Sequence, residues 1–532
     1  MLIVHEEERP ARPERPGALR RGPLCAAVLA AGFGMALGGA VQEGPTPGRG
    51  TAPQPPPVAP LRLWPAPEVV APDAVRKAYR DGMEAARRAE VRRLTEDGGV
   101  AALLRRAMML RHIDAAEHDR HARTWQQAWK AVEGLEGRRR AELRTVLRGV
   151  QRLAATGRLS ASRLAPNMLA VRENTRLWRT APLPDPGDRR RVAGGAVVVQ
   201  YYPGQGWQPH PLASWGHVNA LARRCLSASQ QRRDEGRSAT CPGQRRALRD
   251  RLDTLLGLAV GRGGALAWEY GFSYAGGSPP WVSGMAQATA AQALARAGVA
   301  LDEEELRAAA RDALGTLEQD PPLGVAVRAP GGGRRYALYS FQPDLRVLNA
   351  ELQAVLALRD VTKLIGSTTA RRLYLRGDRA LRATLASYDT GAWSRYSAGG
   401  REATAGYHRL QRRLLGRLCE RTDRGAYCAL HERFARYERE VPSIDLRAPD
   451  RGRTGRAITV RFTLSKISRV AIRVHDGKGR TVTTRVIDKP RGTHTVRFTP
   501  SRPGRHRVRV EVRGPIGPAE VVAQGVRVRD AR

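Results

Sequence analysis

The sequence predicts a mainly α chain: an incomplete α/α toroid, preceded by a helical prefix and followed by a C-terminal immunoglobulin-like β-sandwich. Three observations carry that expectation. Between residues 72 and 441 apolar side chains recur at spacings of three, four and seven, the period of helices with one buried face. From residue 190 onward these helical runs are similar in length and follow one another as pairs, which suits a ring of antiparallel helix pairs. After Val441-Pro442 the period drops to two, as strands of a half-buried sheet require.

At 532 residues the chain exceeds one ordinary domain. Residues 1–41 read as a signal peptide or membrane anchor. Arg20 and Arg21 precede the apolar stretch Leu24–Val41, which ends in small residues at Gly38 and Ala40 and is about 18 residues long, marginal for a spanning helix. Export to the cell surface or beyond is the expected localisation, with an uncleaved anchor as the other reading. Residues 42–71, QEGPTPGRGTAPQPPPVAPLRLWPAPEVVA, form a proline-rich tether that cannot build a core.

Residues 72–180 are the helical prefix. Pro72-Asp73 is a start signal and Gly98-Gly99 an interruption. The stripes Leu103, Leu104, Met108, Leu110, then Trp125, Trp129, Val132, then Leu143, Val146, Leu147, Val150, Leu153 each mark one helix face. Pro182 to Gly187 is a boundary, and Ala196–Tyr202 (AVVVQYY) is a strand closed by Pro203-Gly204. In the toroid, residues 190–441, helices are expected at about Leu212–Cys225, Gln244–Val260, Val282–Ala297, Glu303–Leu317, Leu345–Ile365, Arg379–Ser387, Thr404–Arg421 and Tyr427–Glu440. Gly331-Gly332-Gly333 reads as a hairpin tip. In residues 455–530, Ile458, Val460, Phe462 and Leu464, then Val470, Ile472 and Val474, then Val508, Val510 and Val512 alternate with polar residues. Six or seven short strands make the sandwich.

The formal charge is +40, from 91 basic and 51 acidic residues. That charge suits a polyanionic partner, an acidic polysaccharide or a cell-wall polymer at a membrane surface; a compositional bias toward Arg, Ala and Gly explains it equally well. No nucleic-acid motif is present, and an exported chain seldom meets nucleic acid. Outside the leader, Cys225, Cys241, Cys419 and Cys428 are an even set, and proximity suggests Cys225–Cys241 and Cys419–Cys428 disulfides among three connectivities. No cysteine pair has zinc spacing and the 11 histidines make no HExxH, so neither a metal nor a cofactor is argued.

The densest concentration of chemistry lies between Tyr336 and His408. Tyr336, Tyr339, Tyr388, Tyr396 and Tyr407 fall here, in a chain with 13 tyrosines. Most sit at helix-to-loop junctions, where a scaffold presents side chains to a ligand; simple packing with wet hydroxyls is the alternative.

Three motifs in this stretch, VLNA before a helix, then YDTG, then YH, resemble the C-terminal domain of the D-glucuronyl C5-epimerases. Upstream, PPWVSGMAQATAAQALARA (Pro279–Ala297) and QYYPGQGWQPHPLASWGHVNAL (Gln200–Leu221) are similar to that family's motifs in the same order. The resemblance spans roughly Val192 to Tyr437, and an α/α toroid is the fold it implies. It implies Tyr388, Tyr407 and Tyr339 as catalytic candidates; Tyr201, Tyr202, Gln287, Arg346, Asn349, Arg395 and His408 are the candidate substrate contacts, Asn349 being read also as a helix-end packing residue and His408 also as a structural histidine. Where the animal epimerases carry a glutamate thought to be a base, this chain has Leu338; Glu269 in WEYGF is the candidate replacement.

Epimerisation at carbon-5 of a uronic acid removes the proton beside the carboxylate and returns one to the opposite face. It needs two proton-transfer groups and a cation or donor for the enolate-like intermediate. A phenol serves if positive charge lowers its pKa, and Arg346 and Arg395 flank the tyrosines in sequence. An exported uronate epimerase is therefore the first expectation. A uronate lyase, which expels the carbon-4 substituent from the same carbanion, and a non-catalytic binder of acidic glycan are the other two.

Overall fold

The computed structural model describes residues 98–234 and 244–531. The expected leader, the tether, the prefix start at Pro72-Asp73 and Cys241 lie outside the described residues. The chain divides into two compact units. Among the described residues, one comprises 98–214 with Arg249–Val260 and Glu269–Pro280; the other comprises 215–234, 244–248, Gly261–Trp268 and 281–531.

The first unit opens with helices α1 (Gly98–Met109), α2 (Ala115–Glu133), α3 (Gly137–Ala155) and α4 (Leu164–Thr180). A capping box starts α2: Asp114 accepts from the Glu117 N–H at 2.7 Å, and Glu117 accepts from the Asp114 N–H at 3.2 Å. The second and third expected stripes face inward, with Trp125, Val132, Leu143, Val146, Leu147, Val150 and Leu153 buried and Trp129 half-buried; of the first stripe only Leu104 is buried, Leu103 and Met108 are half-buried, and Leu110, past the end of α1, is exposed. Three antiparallel strands follow, β1 (Arg189–Val192), β2 (Val197–Tyr202) and β3 (Gly206–Pro209). The buried Glu142 of α3 holds their turn by accepting from the Tyr201 hydroxyl at 2.6 Å and from the Gly204 and Gly206 N–H groups at 3.0 Å. Gly206 has φ +72°, and a Cβ there would lie 2.5 Å from Val146 and 2.6 Å from Asn174, so only glycine fits.

Helices α5 (Pro211–Asp234) and α6 (Arg245–Leu256) carry the chain between the units, and short strands β4 (Val260–Arg262) and β5 (Ala265–Ala267) follow. The second unit continues with α7 (Gly284–Leu301), α8 (Glu304–Asp312), the single turn α9 (Gly315–Glu318), the hairpin β6 (Ala326–Ala329) and β7 (Gly333–Tyr336), then α10 (Leu348–Ile365), α11 (Thr368–Arg382), α12 (Ala405–Thr422) and α13 (Gly425–Arg439). Neighbours pack in the order α7 on α10, α10 on α11 and on α12, and α12 on α13. Alanines fill α7, which is buried almost throughout and so approaches α10 closely. Ser283 caps it, accepting from the Ala286 N–H at 3.4 Å. The helix expected over Arg379–Ser387 starts earlier: Gly366, with φ +63°, ends α10, and Ser367 caps α11 at the Ala370 N–H, 3.1 Å away. Only a 3-10 turn, Leu385–Tyr388, occupies the later part of that range. A disulfide joins Cys419 of α12 to Cys428 of α13, as proximity suggested, and Cys225 is also disulfide-bonded.

Eight strands end the chain. β8 (Ile444–Arg447), β10 (Ile458–Leu464) and β13 (Gly492–Phe498) form one sheet; β9 (Arg451–Arg453), β11 (Ser468–His475), β12 (Thr481–Lys489), β14 (Gly504–Arg513) and β15 (Ala519–Arg529) form the other, in the order β12-β11-β14-β15-β9. Their inward residues, among them Val460, Phe462, Ile472, Val474, Val510 and Val528, make one apolar core. The fold class is the expected one, mainly helical with toroid-type helix pairs and a terminal immunoglobulin-like sandwich.

Candidate active site

The N-terminal end of α10 gathers the largest share of the expected residues. Val347 is extended and Leu348 begins the helix, so Asn349 and Glu351 fall in its first turn. The loop after Tyr388 is tied to this end: the Leu348 N–H donates to Tyr396 O at 3.3 Å, and the Ala398 N–H donates to Arg346 O at 3.0 Å. Tyr388, fully buried, donates from its hydroxyl to Glu351 Oε2 at 3.0 Å, and Arg335 of β7 lies 3.7 Å from Glu351 Oε1. Burial raises the Glu351 carboxyl above the usual carboxylate range, against Arg335, the Tyr388 hydroxyl and Arg346, which favour the anion. Burial and the Glu351 charge also raise the Tyr388 phenol. The expectation of a phenol activated by arginine therefore fails at Tyr388, where desolvation outweighs the two guanidinium groups.

Three polar atoms at this end are buried without a hydrogen-bond partner among the described residues, Arg346 Nε and Nη2 and Asn349 Oδ1, and Arg335 Nη1 meets Glu351 only at ion-pair distance, 3.7 Å. Asn349 makes one weak contact, donating to the sulfur of Met285 at 3.8 Å. Buried polar groups are nearly always paired, so such a concentration calls for a physical reason.

Tyr396 and Tyr407 are half-buried and touch edge to face, with ring centroids 4.8 Å apart. Tyr407 stands in the first turn of α12, whose cap Thr404 accepts its N–H at 3.4 Å. Arg395 is half-buried and donates to Gly400 O at 2.9 Å, while its own carbonyl accepts from Gln411 at 3.0 Å, so it braces the loop. His408 has no exposed surface. Its ring stacks on Trp393 at 3.7 Å and its nitrogens meet Ser394 Oγ at 2.8 Å and Phe434 O at 3.0 Å. Burial lowers its pKa to about 4. A neutral imidazole with both nitrogens engaged and no surface is a packing residue, which removes His408 from the substrate-contacting set.

Other expected residues have structural partners. Tyr339 is buried, stacked on Phe341 and set edge-on to Trp281. Leu338 beside it is buried and apolar. Gln287, fully buried, accepts from the Trp268 N–H at 3.2 Å and donates to Trp268 O at 2.8 Å, so it pins that strand end and contacts no substrate. Tyr201, Tyr202 and Glu269 belong to the first unit. Tyr201 is held between Glu142 and Arg138, and Tyr202 packs on Phe272 at 4.5 Å with a phenol raised far by burial. Glu269 is paired with Arg163 through contacts of 2.5 and 2.8 Å. A buried carboxylate so engaged is a stabilising ion partner, and the guess that it replaces the family glutamate loses its support.

Glu351 and Arg335 were not singled out from sequence. An acid in the first turn of a helix is ordinarily explained by the helix dipole, and Arg335 lies in an arginine-rich hairpin. The sequence signal that singles out Glu351 is its place two residues after the VLN motif asparagine. Among the described residues no group of three or more His, Cys, Asp or Glu is placed to hold a metal ion, and no helix is long and apolar enough to cross a membrane.

This end of α10, the loop over it and the start of α12 lie within residues 262–436, which match the family model described as D-glucuronyl C5-epimerase C-terminus. The resemblance read from the motifs holds over this segment. Residues 444–518 match the Filamin/ABP280 repeat, an immunoglobulin-like module. Among solved structures, the GH76 alpha-mannanase of Bacteroides thetaiotaomicron is similar at 12% identity and a TM-score of 0.30, over 42% of this chain and 60% of that one. No curated protein matches the chain.

Proposed function

We propose that the chain is an exported D-glucuronyl C5-epimerase-like enzyme that inverts carbon-5 of uronic acid residues in an acidic polysaccharide. The observation that carries this reading is the group of buried polar atoms of Arg346 and Asn349 without hydrogen-bond partners among the described residues, beside the Glu351–Arg335 ion pair and within the segment that matches the epimerase family. A uronate carboxylate offers the oxygen acceptors that guanidinium groups pair with, and their charge stabilises the enolate-like intermediate. Tyr407, the tyrosine of the Tyr-His motif, is the proton-transfer group in this reading; the residue is half-buried and its hydroxyl oxygen is buried. Tyr396 is the phenol beside it. Tyr388 and Glu351 form a positioning pair that anchors the loop to α10.

Atoms balance simply: the carbon-5 proton leaves to one group, the electron pair resides on the carboxylate as an enediolate, and a second proton arrives from the opposite face. With Leu338 in the glutamate's place, the second group is a tyrosine of this cluster or a bound water. The test is incubation with uronic polysaccharides in deuterated water, reading deuterium at carbon-5 and ultraviolet absorbance together. Deuterium without absorbance is expected. Absorbance from an unsaturated uronate would assign a lyase, and neither signal would leave a glycan-binding protein.

A further inference from the structure

On the five-stranded sheet of the sandwich, Arg505, Arg527 and Arg451 stand in register across three adjacent strands: Arg505 pairs with Arg527 between β14 and β15, and Arg527 pairs with Arg451 between β15 and β9. Like charges directly opposite one another are destabilising in a sheet. All three are exposed, and neither they nor Arg507 has a carboxylate partner within ion-pair distance among the described residues. The other end of β14 is built differently. There Glu511 lies 3.6 Å from Arg473 and 3.8 Å from Arg513, so its arginines have a carboxylate among them.

The unneutralised arginines line a cleft of about 550 Å³, with Asp450, Asp476, Gly525 and the buried His506 also in its wall. Gly525 sits opposite Arg507, and a Cβ there would meet only the His506 carbonyl oxygen, at 4.0 Å. Asp476 is already committed, accepting from the N–H groups of Lys478 and Arg480 and from the Arg480 guanidinium. Four arginines and two acids, one of them occupied, leave the cleft strongly positive.

We infer that this cleft is a second binding site, for the carboxylate or sulfate groups of an acidic polysaccharide. Guanidinium forks match planar oxyanions in pairs, and arginines repeated across strands suit charges repeated along a chain. No Phe, Tyr or Trp lines the cleft, so a nucleobase finds no stacking platform. The choice of a polysaccharide among polyanions rests on the epimerase reading above; the anion site itself does not.

The test compares the full chain with Arg505→Gln/Arg527→Gln and with a control of equal charge loss on the other sheet, Arg461→Gln/Arg497→Gln. Binding to heparin, to hyaluronan and to single-stranded DNA is measured across a salt series. The cleft variant should lose about tenfold or more in polysaccharide affinity at physiological salt and shallow the salt dependence by about two contacts, while the control loses less than about twofold. Loss with heparin alone assigns sulfate, and loss with both assigns carboxylate as well. Equal losses in both variants, no loss in the cleft variant, or tighter cleft-dependent binding of DNA would overturn the proposal. Carbon-5 exchange on a short uronate oligosaccharide, followed in the same preparations, separates the two ideas: its absence counts against the enzyme reading and leaves the cleft result standing.

Discussion

Helix α10 carries two buried carboxylates, and their surroundings are opposites. Asp360, near its C-terminal end, accepts from Gln292 at 2.8 Å, from Arg296 at 2.6 Å and from Arg421 at 2.5 and 2.7 Å. Gln292 in turn accepts from Asn219 and Gln353, and Asn219 accepts from Arg296, so the network closes on itself. Glu351, at the N-terminal end, has one hydroxyl donor at 3.0 Å and one arginine, Arg335, at 3.7 Å, while Arg346 and Asn349 nearby keep buried polar atoms without hydrogen-bond partners among the described residues. The same helix therefore shows what a structural polar cluster looks like and what a cluster with spare capacity looks like. At the Asp360 end the buried charge is fully engaged within the fold; at the Glu351 end hydrogen-bonding capacity is left over, which is the feature the proposed site uses.

The sharpest way to break that comparison is the same chemical change at both ends. Asp360→Asn leaves Arg296 and Arg421 buried around a neutral amide, and a loss of about 3–5 kcal/mol in denaturant unfolding is expected. A loss under about 1 kcal/mol would show that the closed network is not what holds this end together.

Next in size is an acid sensitivity at His408. Its folded pKa of about 4 lies below the ordinary 6.5, so the unfolded chain binds more protons between those values and stability is lost as pH falls through that window. The full shift corresponds to about 3 kcal/mol. Denaturant unfolding at pH 7 and pH 5 should show the decline, and His408→Gln should remove that part of the slope even if it lowers stability at both.

The smallest effect is expected from Glu351→Gln, which keeps an acceptor for Tyr388: within about 1.5 kcal/mol of the parent at neutral pH. Because the folded carboxyl is raised, Glu351 binds its proton more tightly in the native state, and its contribution falls as pH rises above the ordinary carboxylate range. The Gln variant should lack that decline. A cost matching that of Asp360→Asn would erase the distinction between the two ends.

Much of the scaffold was legible because it rests on periodicity. The Trp125 and Leu143 stripes of the prefix, the alternation in the sandwich and the Cys419–Cys428 pairing are all local patterns, and each is present in the structure, whereas the first stripe ends on an exposed Leu110. Helix α11 was misplaced because its start depends on the Gly366-Ser367 stop and cap, and its interior is rich in arginine rather than apolar residues. The site was only partly legible. Motif residues such as Gln287, Tyr201 and His408 are as distinctive in sequence as Tyr407, yet they are buried against Trp268, Glu142 and Phe434. Sequence names a residue type at a position; whether its polar atoms are already spoken for depends on partners far along the chain, as Gln287 and Trp268 or Tyr388 and Glu351 illustrate.

The most direct measurement is the rate of deuterium incorporation at carbon-5 of a uronic polysaccharide, compared between the parent chain and Tyr407→Phe, with folding checked by denaturant unfolding. Loss of about a hundredfold or more in exchange, with stability within about 1 kcal/mol of the parent, is the expected result. Exchange that proceeds at the parent rate in the variant would contradict the assignment of proton transfer to Tyr407 and, with it, the placing of the active site at this end of α10.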